Sequence, residues 1–136
     1  MYSKTVDGTL TLRVDLDSSV PAYRQIIDEL RVLLVSGKLA PGSALPSVRR
    51  MAVDLGVHFN TVAEAYRTLA EDGWLDLRHG SRATVLKRDT PLTANAEWVQ
   101  EFRHRLRALV AEVRAEGASA AKLRFELRAL ADEIRA

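Results

Sequence analysis

The sequence predicts a mostly α-helical fold with a small β wing, organised in two parts. Three observations predict it. Two amphipathic helical segments flank a tight turn near residues 56–60. A glycine-punctuated pair of β-type runs follows them directly, over 73–87. Beyond a short linker, residues 94–136 hold one glycine, no proline and two helical patterns separated at that glycine.

Taken in chain order, "TLTLRVDL" (9–16) alternates Leu10, Leu12, Val14 and Leu16 with polar neighbours, which predicts a half-buried strand. "DSSVPAYRQIIDELRVLLVSG" predicts a helix capped by Ser18 or Ser19, with Pro21 in its first turn and Gly37 at its end. Its stripe is Tyr23, Ile26, Ile27, Leu30, Leu33 and Leu34. "KLAPGSALP" is turn-forming, and its second proline delays helix until Ser47. "SVRRMAVDLG" reads as a short helix capped by Ser47 and stopped by Gly56, with Val48, Met51, Ala52 and Leu55 inward. Asn60 is the expected cap of the next helix, whose stripe is Val62, Ala65, Tyr66 and Leu69. "GWLDLRHGSRATVLK" predicts a hairpin with Leu75 and Leu77 on one face and a turn at His79-Gly80-Ser81. Such a hairpin is marginal alone, so it must dock on the helices.

Residues 88–93 read as a linker, which sets the expected parts at 1–88 and 89–136. The second part carries two helical stripes separated at Gly117. The first is Trp98, Phe102, Leu106, Leu109 and Val113; the second is Ala120, Leu123, Leu127, Leu130 and Ile134. An α-helical hairpin of this length cannot bury both stripes, so a second copy is expected to cover them.

Composition narrows the function classes. A chain of 136 residues, 47% hydrophobic and 28% charged, is that of a globular protein. It lacks an apolar run long enough to span a bilayer and a basic-then-apolar leader, which makes the cytoplasm the expected location. The absence of cysteine removes disulfides and thiolate chemistry. Glu101 and His104 make an E-x-x-H pair, but no second pair accompanies it, so neither metal nor cofactor is expected. There is no glycine-rich phosphate loop and no Ser/His/Asp arrangement, and no enzymatic activity is expected. The net charge of +2 permits a polyanionic partner without requiring one, because local clustering decides.

Two short helices, the second presented by its N-terminus, followed at once by a hairpin, are the layout of a winged helix-turn-helix. That layout lets the second helix enter the major groove of DNA while its stripe stays anchored. The polar face of residues 61, 63, 64, 67 and 68 would then read, and the wing tip would rest on the backbone or minor groove. Charge agrees, since Arg78, Arg82, Lys87 and Arg88 lie within 77–88 and no acid does. The residues expected at DNA are Arg50, His58, Phe59, Asn60, Arg67, Arg78 and Arg82, with those nominated below. Phe59 is either core filler or an apolar contact for a thymine methyl. Glu64 is either a solvated surface residue or an acceptor for cytosine N4.

The pieces "LPSVR", "LGV", "NTV", "AYRTL" and "GWL", with the Pro-Gly turn and Gly80, resemble the DNA-binding domain of the GntR family of bacterial transcription regulators. The resemblance covers roughly residues 10–86, and the short helical C-terminal part is similar to the YtrA-like subfamily, which dimerises there and lacks a large effector domain. It implies a DNA-binding repressor acting as a homodimer on a palindromic operator of a transporter operon. It nominates Ser47 and Thr61 for phosphate, Arg49 for base or phosphate, and His79 with Gly80 for the minor groove. Many family members carry Arg where this chain has Phe59 and Ala63, and the common G-x-G-T-F of the wing is here Gly80-Ser81-Arg82-Ala83-Thr84. A dimeric protein-interaction module that does not read DNA is the alternative, and the basic wing argues against it. The identity of any small-molecule effector is unknown from sequence; it would have to lie at the dimer interface or between the parts.

Overall fold

In a computed structural model, residues 3–78, 82–88 and 97–134 are described. The chain divides into two compact units, Met1–Asp89 and Thr90–Ala136. The first holds β1 (Ser3–Val6), β2 (Leu10–Arg13), α1 (Ala22–Val35), α2 (Val48–Leu55), α3 (Phe59–Glu71), β3 (Leu75–Asp76) and β4 (Thr84–Val85). The second holds α4 (Trp98–Ala115) and α5 (Ala120–Glu133).

The single strand expected over 9–16 is instead a hairpin. β1 pairs antiparallel with β2, Lys4 opposite Leu12 and Val6 opposite Leu10. Asp7 and Gly8 make the reversal with φ of 51° and 69°, and Thr9 N–H donates to the Val6 carbonyl at 3.2 Å. Two left-handed residues match the twist of the strands, so Asp-Gly is a strong hairpin signal that the alternation at 9–16 overshadowed. β2 ends at Arg13, where the side chain of Gln25 takes over. Its carbonyl accepts from Asp15 N–H, and its amide donates to the carbonyls of Asp15 and Val20. Leu16 is thereby turned out, 51% exposed, rather than continuing the buried face.

Two caps also differ from expectation. α1 begins at Ala22 with Pro21 as its N-cap and no side-chain cap; the Ser18 hydroxyl accepts from Val20 N–H in the preceding turn instead. Proline's fixed φ presets the entry without needing an oxygen ligand. α3 begins at Phe59, not after Asn60, because His58 Nδ1 accepts from Asn60 N–H at 3.0 Å. α2 follows the sequence reading: Ser47 Oγ accepts from Arg50 N–H at 3.1 Å, and Gly56 ends the helix at φ 72°. A left-handed residue here turns the chain into α3 within two residues, and a side chain at that φ would be strained.

The first unit has one core. Val6, Leu12 and Val14 from the hairpin meet Ile26, Ile27, Leu30 and Leu34 of α1, the inward faces of α2 and α3, and Leu75, Ala83 and Val85 of the wing. Each fully buried aliphatic side chain contributes about 1.5–3 kcal/mol, which is why the stripes dictate the helix packing. The hairpin also clasps α2: Lys4 Nζ donates to the Leu55 carbonyl at 2.8 Å, placing a cation at the helix C-terminus.

The wing is small but doubly anchored. β3 and β4 pair through Leu75–Val85 and Asp76–Thr84, and the segment before α2 adds to the other edge of β4. Val85 N–H donates to the Ser43 carbonyl and Leu45 N–H to the Ala83 carbonyl, both at 2.8 Å. Leu77 does not share the buried face of Leu75; it is 39% exposed, since the pairing ends at Asp76.

In the second unit none of the described residues of α4 or α5 is buried. Gly117, at φ 103°, separates the helices, and Ser119 caps α5 by accepting from Lys122 N–H.

Candidate nucleic-acid interface

The candidate interface lies where three pieces of the first unit converge: the start of α2, the exposed edge of α3 and the return segment of the wing. α3 is held by its buried edge. The Tyr66 hydroxyl, deep in the core, donates to the Pro46 carbonyl at 2.7 Å, tying the middle of α3 to the residue before the α2 cap. Burial pushes the Tyr66 phenol well above its ordinary value of 10.0, so it stays a donor at any physiological pH. The opposite edge is open: His58, Phe59, Asn60, Glu64 and Arg67 are exposed, and Thr61 and Ala63 are half-buried. With His58 acting as the cap, the Asn60 side chain stands free of the role the sequence suggested for it.

Ser47, Arg49, Phe59, Ala63, Arg67 and Arg82 line one surface recess between α2, α3 and the wing. Arg49, Arg67 and Arg82 are all exposed, and no carboxylate pairs with any of them among the described residues. Three unneutralised guanidinium groups around the N-terminus of α2 make an anion-seeking surface, since the free N–H groups of that helix end add to the same field.

The other expected residues separate into different roles. Arg50 lies one position from Arg49 but points elsewhere, its Nε 3.4 Å from Asp54 and 3.7 Å from Asp7. Those acids anchor it to the β1–β2 turn. Arg78 is clamped by Asp76, with Nε and Nη2 each 3.1 Å from a carboxylate oxygen. That hydrogen bond, reinforced by the Asp76 charge, holds the guanidinium above its usual range and offsets part of the wing's positive field. Arg88 lies over the Trp74 ring at 4.7 Å and donates to the Asp72 carbonyl at 3.0 Å, an anchoring role at the wing's base. Glu64 carries the helix's own back-bond, accepting through its carbonyl from Thr68 Oγ1 at 3.0 Å. His79 and Gly80 lie outside the described residues.

Sequence reasoning missed the acids that sort these arginines. Asp54 at i+4 from Arg50 and Asp76 at i−2 from Arg78 were visible as spacings, whereas Asp7 joins Arg50 only through the fold.

The residues expected to join two copies lie on α4 and α5, except Ile134, which follows the end of α5. Trp98, Phe102 and Leu109 share one edge of α4 and are each just over half exposed, while Leu106 and Val113, farther around the helix, are half-buried. On α5, Leu123 and Leu127 are half-buried and Leu130 is 57% exposed, whereas Ile134, expected in the same stripe, is the extended C-cap just beyond the helix and 81% exposed. Trp98 and Phe102 touch as a tilted ring pair, centroids 6.1 Å apart.

Residues 22–85 match the model of the bacterial regulatory proteins of the gntR family. The HTH-type transcriptional repressor YtrA of Bacillus subtilis is 27% identical over 91% of this chain and 95% of its own length. The uncharacterized HTH-type transcriptional regulator YhcF of the same organism is 36% identical over 70% of this chain and 73% of its own. Among solved structures, YtrA from Sulfolobus acidocaldarius, a GntR-family transcription factor, superposes with a TM-score of 0.54 at 29% identity, covering 92% of this chain and all of that one.

Proposed function

The chain belongs to the GntR family of bacterial regulatory proteins, and from that premise we propose that it is a transcriptional repressor that binds a palindromic DNA operator as a homodimer. The observation that carries this reading is the recess where Arg49, Arg67 and Arg82 meet the open edge of α3 without a carboxylate partner among the described residues. Unpaired guanidinium groups around a helix N-terminus call for an anionic partner. A phosphate backbone is such a partner.

In this mechanism α3 enters the major groove with its first turn leading. The Ser47 hydroxyl and the start of α2 meet a flanking phosphate, and Arg82 on the wing meets another. Tyr66 makes the geometry stiff, since α3 cannot rotate without breaking its bond to the segment that sets α2. The exposed edge of Trp98, Phe102 and Leu109, with Leu130 and Ile134, supplies the apolar surface for the second copy. Two recognition helices held together then bind two half-sites, and the second contact forms at high effective concentration. Repression follows as occlusion of the promoter. The two-helix unit encloses no chamber of its own, none of its described residues being buried, so regulation by a ligand would use a site shared between copies.

The test is selection of bound fragments from random duplex DNA with the full chain, followed by footprinting and a salt titration. The expected result is an inverted repeat with half-sites about one helical turn apart, and affinity that falls steeply with salt. A footprint without dyad symmetry, or binding indifferent to salt, overturns the reading.

A further inference from the structure

Phe59 occupies the first position of α3 and is 49% exposed, so it is not core filler. Its ring stands between two surface recesses, both of which it shares with Arg49. One is the basic recess described above. The other is apolar in character, lined by Ala52, Val53 and Val57 with His58 at its edge. Val53, one turn beyond Arg49 on α2, is 69% exposed. No acidic side chain lines either recess.

Phe59, Ala63 and Arg67 follow one another at four-residue steps along the same edge of α3, so the edge runs from aromatic to small to cationic. A lone exposed aromatic needs no explanation. One placed at the leading turn of a groove-entering helix beside an exposed valine does, because water covers that surface in the free protein at a cost that only an apolar partner removes. Phosphates are ionic and the C–H faces of the sugars are the same at every step, so neither selects a sequence; on the base edges of the major groove the apolar feature is the C5 methyl of thymine.

We propose that Phe59 is a specificity-determining residue that seats its ring against a thymine methyl, so that each half-site carries an A·T pair with the methyl turned toward the first turn of α3. Ala63 leaves room for that methyl by presenting no long side chain, and Arg67, about two turns farther along α3, lies away from the leading end and does not crowd it. This rests on the reading of α3 as the groove helix.

The experiment uses the full chain and the selected operator duplex, replacing each half-site thymine in turn by deoxyuridine, which removes the methyl and leaves pairing and hydrogen-bonding groups intact. Loss of the methyl at the contacted position should weaken binding about fourfold, the worth of one buried carbon. Phe59→Ala should weaken binding to the thymine duplex by at least as much and respond no further to the same deoxyuridine, as a double-mutant cycle requires of a direct contact. Its melting temperature should match the parent's, which separates lost contact from lost fold. Deoxyuridine that is neutral at every position, or a Phe59→Ala variant as methyl-sensitive as the parent, overturns the assignment while leaving DNA binding intact. Absence of any selected duplex overturns both this and the function it rests on.

Discussion

Tyr66, in the middle of α3, donates its hydroxyl hydrogen to the carbonyl oxygen of Pro46 at 2.7 Å, twenty residues earlier in the chain and immediately before the α2 cap. One buried bond therefore ties the middle of α3 to the segment that leads into α2, the two helices proposed to meet DNA. Tyr66→Phe keeps the ring and removes only the donor. The buried acceptor is then unsatisfied, and unfolding free energy should fall by about 1–3 kcal/mol in a urea titration. Unchanged stability would mean that the bond contributes nothing net.

The same phenol predicts an alkaline limit. Burial raises its folded-state value above the ordinary 10.0, so the folded protein resists ionisation more than the unfolded chain does. Its contribution is fully present below pH 10.0 and is lost as pH climbs above that value. Chemical unfolding measured at rising pH should show the decline, and Tyr66→Phe should lack this component.

Neighbouring arginines should behave differently. Arg49→Ala should cost the operator complex about 1–3 kcal/mol and relax preference at particular base pairs if it meets a base edge. Arg82→Ala should weaken binding to all duplexes alike and lower the salt slope by about one unit. Arg50 is held by Asp54 and Asp7 in exposed ion pairs, so Arg50→Ala should leave DNA affinity nearly unchanged and cost less than about 1 kcal/mol of stability. Equal effects of the Arg49 and Arg50 substitutions on DNA binding would contradict the separation of their roles.

Assembly is tested on residues that the single chain leaves open. Phe102 and Leu130 are 54% and 57% exposed, whereas Leu127 is half-buried within its own subunit and would confound the result. Replacing Phe102 and Leu130 together by Glu should bring like charges into the proposed subunit interface and yield a monomer by light scattering. The monomer should retain a folded winged unit and lose most specific operator affinity. A double variant that remains dimeric, or a monomer binding as tightly as the parent, would assign these helices to another purpose.

Periodicity made most helices legible. The stripes of α1, α2 and α3 became the core, and Ser47 and Gly56 bound α2 as their chemistry dictates, because these signals act within one or two turns of chain. Boundaries governed by competing local acceptors were less legible. His58 displaced Asn60 as a cap, and Pro21 displaced the serines, since several residues could satisfy the same free N–H groups and sequence does not rank them.

By itself the sequence determined the order of elements, the inward stripes, the basic return strand and the family frame, all of which follow from spacing and residue type. Tertiary structure decided the contacts that join distant parts of the chain. Asp7 reaches Arg50 from a hairpin more than forty positions away, the pre-α2 segment pairs with β4 and brings Arg82 beside Arg49, and Phe59 is left half in water between two recesses. The physical reason is that a charge or an apolar ring acts through what lies within a few ångströms of it, and that neighbourhood is set by packing rather than by position along the chain.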